Sequence, residues 1–382
     1  MKIKKENIRI VHIITTLERG GAQRILSEVI KNKKHNREYR HIVISLTSEK
    51  GFSKEIENYA ERIYYLNGKN IISFPALIFQ AFLLIRSLKP DLIQSWLYHA
   101  DFTASFLGLF FKNIPILWTV HHASYSLKYE SFHSKLIVYL LSKLSYYLPI
   151  KIIYCSKYSF DIHNKLGYSK SKSKIVMNGI DMNKFRPNKE LGESFRASLN
   201  IKEKEFLIGF IGRYDPNKGI NCFLKTAKQI KNTNNKNIKF LLCGNRMNKN
   251  NKDLVSEIKN LNLIKDVILL GEKRNMESIY NAIDLLICTS LTESFGLVAV
   301  EALACGKKVI SSDLPALREI IEEENLIEPN NYLIFAKKSI NLMKKDIKQK
   351  LSEERNIKNS VLKKYNIDNT VRGYYEIYKD IL

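Results

Sequence analysis

One pattern constrains this chain more than any other: short strand-like runs alternate with helix-length stretches almost from end to end. The runs are RIVHII (9–14), HIVISL (41–46), RIYYL (62–66), DLIQS (91–95), PILWTV (115–120), KIIYC (151–155) and KIVM (174–177). Runs of four to eight apolar, β-branched and aromatic residues, spaced by helix lengths, imply βαβ units and a parallel sheet covered on both faces. The pattern breaks once, at MNGIDMNKFRPN (177–188), where Asn178-Gly179 and Arg186-Pro187-Asn188 signal turns. It restarts at FLIGFIG (206–212), IKFLLC (238–243), VILLG (267–271), DLLIC (284–288) and KKVIS (307–311). The expectation is an α/β protein of two domains joined near residue 180, which a length of 382 residues accommodates. The Lys/Asn-rich stretches 231–237 and 245–252 are expected as loops, and 333–382 as helical.

Charge bears on partners rather than fold. The formal net charge is +24; residues 1–180 carry 27 basic and 12 acidic side chains, and residues 181–382 carry 35 and 26. Nucleic acid, an anionic membrane face and phosphorylated substrates are the candidate partners. Five cysteines, an odd number with no CxxC, three of them in apolar runs, suggest reduced thiols in a cytosolic protein rather than a zinc site. The start, MKIKKENIRIVHII, reads as a first strand and not as a signal peptide. No segment reaches the about 18 uncharged apolar residues of a spanning helix. The longest candidate, IISFPALIFQAFLLI (71–85), is short and contains Pro75, expected to break it.

Doubly wound domains bind ligands at the carboxyl ends of their strands, and the informative residues follow strands here. ERGGAQRIL (18–26) places Gly20-Gly21 where a strand turns into a helix, whose free N–H groups suit phosphate. WTVHHASY (118–125) places His121 and His122 after a strand, and SWLYHAD (95–101) does the same for His99. FIGRYDPNKGI (210–220) sets Arg213 and Lys218 on a Gly-containing loop, two cations suited to a diphosphate. No GxGxxG fingerprint or Walker A sequence occurs. TSLTESFGLVAVEALACGKKVISSD (289–313) sets Glu293 and Glu301 eight apart, with Ser294-Phe295-Gly296 as a turn and Leu297 opening a helix. Two carboxylates so placed address separate hydroxyls of one extended ligand. Glu301 sits inside LVAVEALAC, where a charge without a partner is costly.

At this point the chain resembles the retaining glycosyltransferases of the GT-B fold, family 4. The resemblance rests on GGAQ, NGID with KF and Pro187 following, GR with KG following, and above all ESFGLV with EA and ACG following. It covers nearly the whole chain. It implies two Rossmann-like domains facing across a cleft: an acceptor domain over 1–178, a nucleotide-sugar domain over 179–365, and a final helix, 366–382, returning to the first. It implies that Gly20 and Gly21 lie near donor phosphates, and that Arg213 and Lys218 bind the diphosphate. Glu293 would meet sugar hydroxyls, and Glu301 the ribose. Ser294, Phe295, Gly296 and Leu297 would line the sugar and phosphate. One histidine after PILWTV would face the sugar, His121 favoured over His122; His99 is a further candidate contact. No metal and no cofactor are implied beyond the nucleotide-sugar co-substrate, UDP-sugar by default and GDP-sugar otherwise. The chain has no D-x-D sequence, in keeping with that.

The acceptor signal is weaker. Residues 131–174 carry eight lysines against Asp161, and HSKLIVYLLSKLSYYLP mixes Lys with Leu, Ile and Tyr. Such a segment rests on an anionic bilayer or forms a core helix with a solvated Lys face. The first reading makes a polyprenyl-diphosphate-linked saccharide the acceptor, on the inner face of the cytoplasmic membrane. The rival functions are a sugar-nucleotide epimerase or phosphorylase on the same fold, a polyanion- or nucleic-acid-binding protein, and an inactive transferase-like partner.

Overall fold

A computed structural model describes residues 7–32, 38–68, 74–121, 132–233, 237–344 and 364–382. The chain divides into two compact units, one of residues 1–179 with 367–382 and one of 180–366.

In the first unit, β1 (Ile8–Ile14), α1 (Gly21–Lys31), β2 (Tyr39–Ser45), α2 (Ser53–Ile56), β3 (Arg62–Tyr65) and α3 (Phe74–Leu88) come first. Then come β4 (Leu92–Trp96), α4 (Tyr98–Phe110), β5 (Ile116–Val120), α5 (Phe132–Leu144), β6 (Lys151–Tyr154), α6 (Lys157–Lys165) and β7 (Ser173–Ile175). The strands form a parallel sheet in the order β3-β2-β1-β4-β5-β6-β7. Ile10 pairs with His41 on one side and Leu92 on the other. The helical part of the run 71–85 starts beside Pro75, and residues 71–73 lie outside the described residues. The proline lies in the first turn of α3, where its missing N–H has no intrahelical partner to lose.

The second unit runs α7 (Lys189–Ser198), β8 (Phe206–Ile211), α8 (Ile220–Lys231), β9 (Ile238–Cys243), α9 (Lys252–Asn260), β10 (Val267–Gly271) and α10 (Met276–Ala282). It continues with β11 (Leu285–Cys288), α11 (Leu297–Ala304), β12 (Lys308–Ser312), α12 (Pro315–Arg318), β13 (Leu326–Ile327) and α13 (Tyr332–Met343). Its parallel sheet has the order β10-β9-β8-β11-β12-β13. Lys252, expected in a loop, opens α9, because Asn251 caps that helix by accepting from Leu254 N–H (3.3 Å). Strand β13 is two residues long, too short for any sequence period to mark. All five cysteines are free, four buried and Cys288 half-buried.

The last helix, α14 (Ile367–Ile381), belongs to the first unit. It buries Ile367, Thr370, Val371, Tyr374, Tyr375 and Tyr378, the i, i+3, i+4, i+7, i+8 stripe of an amphipathic helix. These pack with α1 against one face of the sheet, while α3, α4 and α5 cover the other. Polar groups fasten the helix as well. Trp96 Nε1–H donates to His12 Nδ1 (3.2 Å), so His12 carries its proton on Nε2 and donates to His41 Nδ1 (2.8 Å). His41 Nε2–H donates to the Tyr375 hydroxyl (3.0 Å), which donates to the Val29 carbonyl (3.0 Å). Tyr378 donates to Gln94 Oε1 (2.5 Å), and Gln94 Nε2–H donates to Thr119 (2.8 Å). Trp96, His12, His41, Tyr375, Tyr378 and Gln94 each donate to an acceptor here, which makes a polar core tolerable.

Candidate functional site

In both sheets the strand order reverses beside the first strand of the unit, between β1 and β4 and between β8 and β11. Crevices at such switch points hold ligands in doubly wound folds.

In the second unit the loop after β8 (212–219) meets the loop after β11 (289–296). Leu291 N–H donates to the Asn217 carbonyl (2.8 Å) and Thr289 Oγ1 to the Gly219 carbonyl (2.9 Å). Gly219 has φ +67°, and a Cβ there would lie 1.9 Å from the Thr289 carbonyl oxygen. Only glycine allows so close a backbone contact at this angle. The two loops thereby set Lys218 Nζ 2.6 Å from Glu293 Oε1, and Ser290 Oγ donates to the same oxygen (2.9 Å). The pair is partly exposed, as a ligand site requires.

Arg213 stands on the same loop. Its side chain is 58% exposed and pairs with Asp215 at 2.8 Å. Burial opposes ionisation of Asp215, but the Asn217 N–H and Arg213 outweigh it and hold the carboxyl below its usual range. Asp215 in turn caps the 3-10 turn Pro216–Lys218 that carries the lysine. Beneath the loops, burial and the Glu293 charge push the Cys288 thiol up to about 12, so it stays protonated.

Gly296, at φ +107°, caps α11. A Cβ there would lie 2.5 Å from Leu317 Cδ2. With no capping side chain and no acidic residue in its first turn, the helix presents its N-terminal partial charge to an anion. Ser294 and Leu297 flank this turn. The Phe295 ring is buried against Tyr365 (5.6 Å, edge-on), so its backbone and not its side chain faces the turn. Only the second half of the interval between the two glutamates is helical. Glu301 is 2% exposed and accepts from the Tyr280 hydroxyl at 2.5 Å. Tyr280, from α10 and packed on Phe185, is absent from the sequence expectation; nothing in ESIYNAI marks it. Tyr280→Phe keeps the ring and removes the donor. It should destabilise the second unit by about 1.5–3 kcal/mol, the worth of a hydrogen bond to a charged group, read as a lowered calorimetric Tm.

In the first unit Gly20 and Gly21 open α1, both exposed. The loop is braced by Arg19, which pairs with Glu55 (2.8 Å) and lies over Phe52. His121 follows β5, 7% exposed, stacked on Trp96 (5.5 Å), with Asn178 Nδ2 3.5 Å from its Nδ1. Trp96 stacks on Tyr374 from its own contact of 5.5 Å, so His121 is held from beneath by aromatic rings. His99 lies in the first turn of α4. His122 falls outside the described residues. The structure therefore collects Arg213, Lys218, Glu293 and the α11 turn in the second unit, and Gly20, Gly21, His99 and His121 at the carboxyl edge of the first. Among the described residues, no cluster of three or more His, Cys, Asp or Glu side chains could hold a metal ion, and no helix is long and apolar enough to cross a membrane.

Comparison with known proteins agrees with this geometry. Residues 19–184 match the model described as Glycosyltransferase Family 4, and residues 192–366 match Glycosyl transferases group 1. The chain is 26% identical to an uncharacterized 41.2 kDa protein in the cps region of Klebsiella pneumoniae, over 83% of this chain and 84% of that one. It is 24% identical to the Escherichia coli UDP-Gal:alpha-D-GlcNAc-diphosphoundecaprenol alpha-1,3-galactosyltransferase, over 78% of each. Its fold is that of Anabaena HepE, solved in complex with UDP and glucose, with a TM-score of 0.85 at 20% identity, covering 98% of this chain and 100% of that one. With two doubly wound units, a cationic switch-point loop paired to Glu293, and matches spanning both units, the chain belongs to the family 4, group 1 glycosyltransferases of the GT-B fold, enzymes that transfer sugar from a nucleotide sugar.

Proposed function

We propose that this transferase moves a sugar from a UDP-sugar, with retention at the anomeric carbon, to a hydroxyl of a saccharide carried on a polyprenyl diphosphate. The product enters a polysaccharide or glycan assembled at the inner face of the cytoplasmic membrane, where the protein is peripheral. The observation that carries the reading is the Lys218–Glu293 pair fixed at the switch point of the second sheet. The E. coli relative's diphosphoundecaprenol acceptor and the cps-region relative support the acceptor class.

The chemistry follows from charge. Breaking the anomeric C–O bond leaves negative charge on the diphosphate and positive charge on the sugar ring. Lys218, Arg213 and the N-terminal amides of α11 neutralise the first without a metal, as preorganised electrostatic stabilisation. Glu293 accepts from sugar hydroxyls while orienting Lys218. Glu301, oriented by Tyr280, takes the ribose. Ser294, Phe295, Gly296 and Leu297 supply backbone to the sugar and phosphate. Gly20 and Gly21 approach the donor phosphates, His121 is the sugar-facing residue of its unit, and His99 belongs to the acceptor side. No side chain is assigned as a nucleophile; the acceptor hydroxyl attacks on the face from which the nucleotide leaves and passes its proton to the departing diphosphate oxygen.

A metal-free thermal-shift panel with UDP, GDP, ADP and their sugar conjugates tests the donor. A ligand at about 100 times its Kd adds roughly 2.7 kcal/mol. UDP compounds are expected to stabilise the protein; no shift from any nucleotide would overturn the reading. Conversion of the sugar nucleotide to its C2 epimer without acceptor would mark an epimerase instead.

A further inference from the structure

Leu97, between β4 and α4, holds a backbone conformation that leucine rarely adopts. Its φ is +75° and its ψ 156°, a combination essentially reserved for glycine. Among the described non-glycine residues with positive φ, the rest are Asn, Lys and Arg. Strain of this kind persists only where the surroundings impose it, and it gathers at ligand sites. Here the surroundings do impose it. Leu97 N–H donates to the Thr119 carbonyl of β5 (3.3 Å), and the Leu97 carbonyl accepts from Asp101 N–H (2.9 Å). The Ser95 hydroxyl donates to Asp101 Oδ1 (2.6 Å). His163 Nδ1–H donates to the Ser159 carbonyl (2.7 Å), so its Nε2 accepts from the Tyr98 hydroxyl (2.7 Å). The turn is thus tied to β5, to α4 and to α6.

Core packing does not account for it. Trp96 and Tyr98 join the apolar clusters on the two faces of the sheet; Leu97 joins neither of those clusters and is half-buried. Its backbone N–H and carbonyl are engaged, so the side chain is what the turn presents. In the pairing of β1 with β4, Ile14 lies beside Trp96. The next residues along, Thr15 and Leu97, therefore leave the two strand ends together, at the point where the order of the first sheet reverses. Thr15 Oγ1 is shielded from solvent and has no hydrogen-bond partner among the described residues. A buried hydroxyl left in that state is costly, and a ligand hydroxyl satisfies it. An apolar side chain beside such a hydroxyl matches a sugar ring, which has a C–H face and a hydroxyl edge. Neither group suits a phosphate, which calls for cations.

We propose that Thr15 and Leu97 form the subsite for the acceptor sugar: Leu97 lies against the C–H face of the terminal ring, and Thr15 Oγ1 hydrogen-bonds one of its hydroxyls. Leu97 is then a specificity-determining residue, because a ring with an axial hydroxyl on that face would set a polar group against leucine and lose its hydration without a partner. The inference rests on the saccharide-acceptor reading above and names the residues of the first unit that read the sugar.

The test is saturation-transfer NMR on the full chain with UDP present, the probes being methyl glycosides of glucose, galactose, mannose and N-acetylglucosamine. Transfer to the ring C–H protons of at least one glycoside is expected. Its affinity should fall about ten- to hundredfold in Leu97→Ala and Leu97→Gly, the range an apolar group is worth in a pocket, and change little in Leu97→Met, which conserves volume. Thr15→Val should weaken binding about fivefold, the worth of one neutral hydrogen bond. Glu293→Ala should keep the signal, which separates this subsite from the donor sugar. Melting separates contact from strain. Leu97→Ala and Leu97→Gly both lose the side chain, but only the first keeps the strained angle, so Leu97→Gly should melt higher. A leucine with a purely structural task would not yield a better-melting glycine variant that still loses the sugar. Transfer to none of the glycosides, or transfer that the Leu97 and Thr15 changes leave intact, would overturn the subsite. Leu97→Ala melting with or above Leu97→Gly would overturn the strain behind it. UDP stabilisation of each variant should match the parent, which shows that it folds. Loss of the subsite beside intact UDP stabilisation sinks this inference alone; glycoside binding without stabilisation by any nucleotide sinks the donor reading and leaves the subsite.

Discussion

Glu293→Ala is expected to lower kcat/KM for transfer on the order of 10²–10³-fold, the scale of removing one preorganised group from a charge-stabilising site. The carboxylate has two tasks in the proposed site, meeting sugar hydroxyls and holding Lys218 at 2.6 Å. Lys218→Ala removes the cation that faces the leaving diphosphate and should cost a similar factor, with weaker nucleotide binding. Because the two side chains act as a unit, the double variant should lose far less than the product of the two factors. Steady-state kinetics on all four proteins checks this. Simple multiplication would show that the ion pair is not a working element, and near-parent turnover of Glu293→Ala would remove it from the site.

The second large effect is on acid stability. Burial, reinforced for His12 by the neighbouring His41, lowers the pKa of His12 well below its ordinary value and that of His41 to about 3. Both are neutral in the fold and take up protons once unfolded. Their stabilisation is complete above about pH 6.5 and drains as pH falls below it, because the unfolded chain binds more protons there. Two such groups give a slope of about 2.7 kcal/mol per pH unit between roughly pH 6 and 4. Asp101 acts in the opposite direction. Burial raises its pKa well above the usual carboxylate range against the pull of Ser95, so the folded state holds its extra proton in this window and offsets about half the slope. The readout is convenient, since the chain's two tryptophans, Trp96 and Trp118, are both buried in the first unit. Their fluorescence in urea titrations at several pH values should show stability falling with pH, more steeply for Asp101→Asn and less steeply for His41→Gln. A flat profile from pH 6.5 to 4 would contradict the neutral His12–His41 chain.

What the sequence discloses is what repeats or stands at fixed offsets. The strands were legible because β-branched runs bounded by turns leave few alternatives, and the observed ends of the expected strands lie within two residues of the sequence expectation. Arg213, Lys218 and Glu293 were legible because each follows a strand at a turn. What stayed hidden depends on register and tertiary contact. His12 meets His41 because β1 lies beside β2, and no offset in the sequence announces it. Tyr280 reaches Glu301 from a separate helix. The exposed Phe79, Leu83, Phe106, Leu109 and Phe110 of α3 and α4 went unmarked, because periodicity cannot say which side of a helix is covered.

The return of α14 to the first sheet has a consequence for how the protein is made. Residues 180–366 form a contiguous unit that can close as soon as it leaves the ribosome. The first unit leaves earlier yet lacks Tyr374, Tyr375 and Tyr378 until all of that stretch has been translated, an interval of about ten to forty seconds at bacterial-range synthesis rates. Throughout that interval the sheet face around Ile10, Trp96 and His41 is without its last cover. The later-made unit can thus be the first completed, and the nascent chain carries an open apolar face that holdase chaperones are suited to shield.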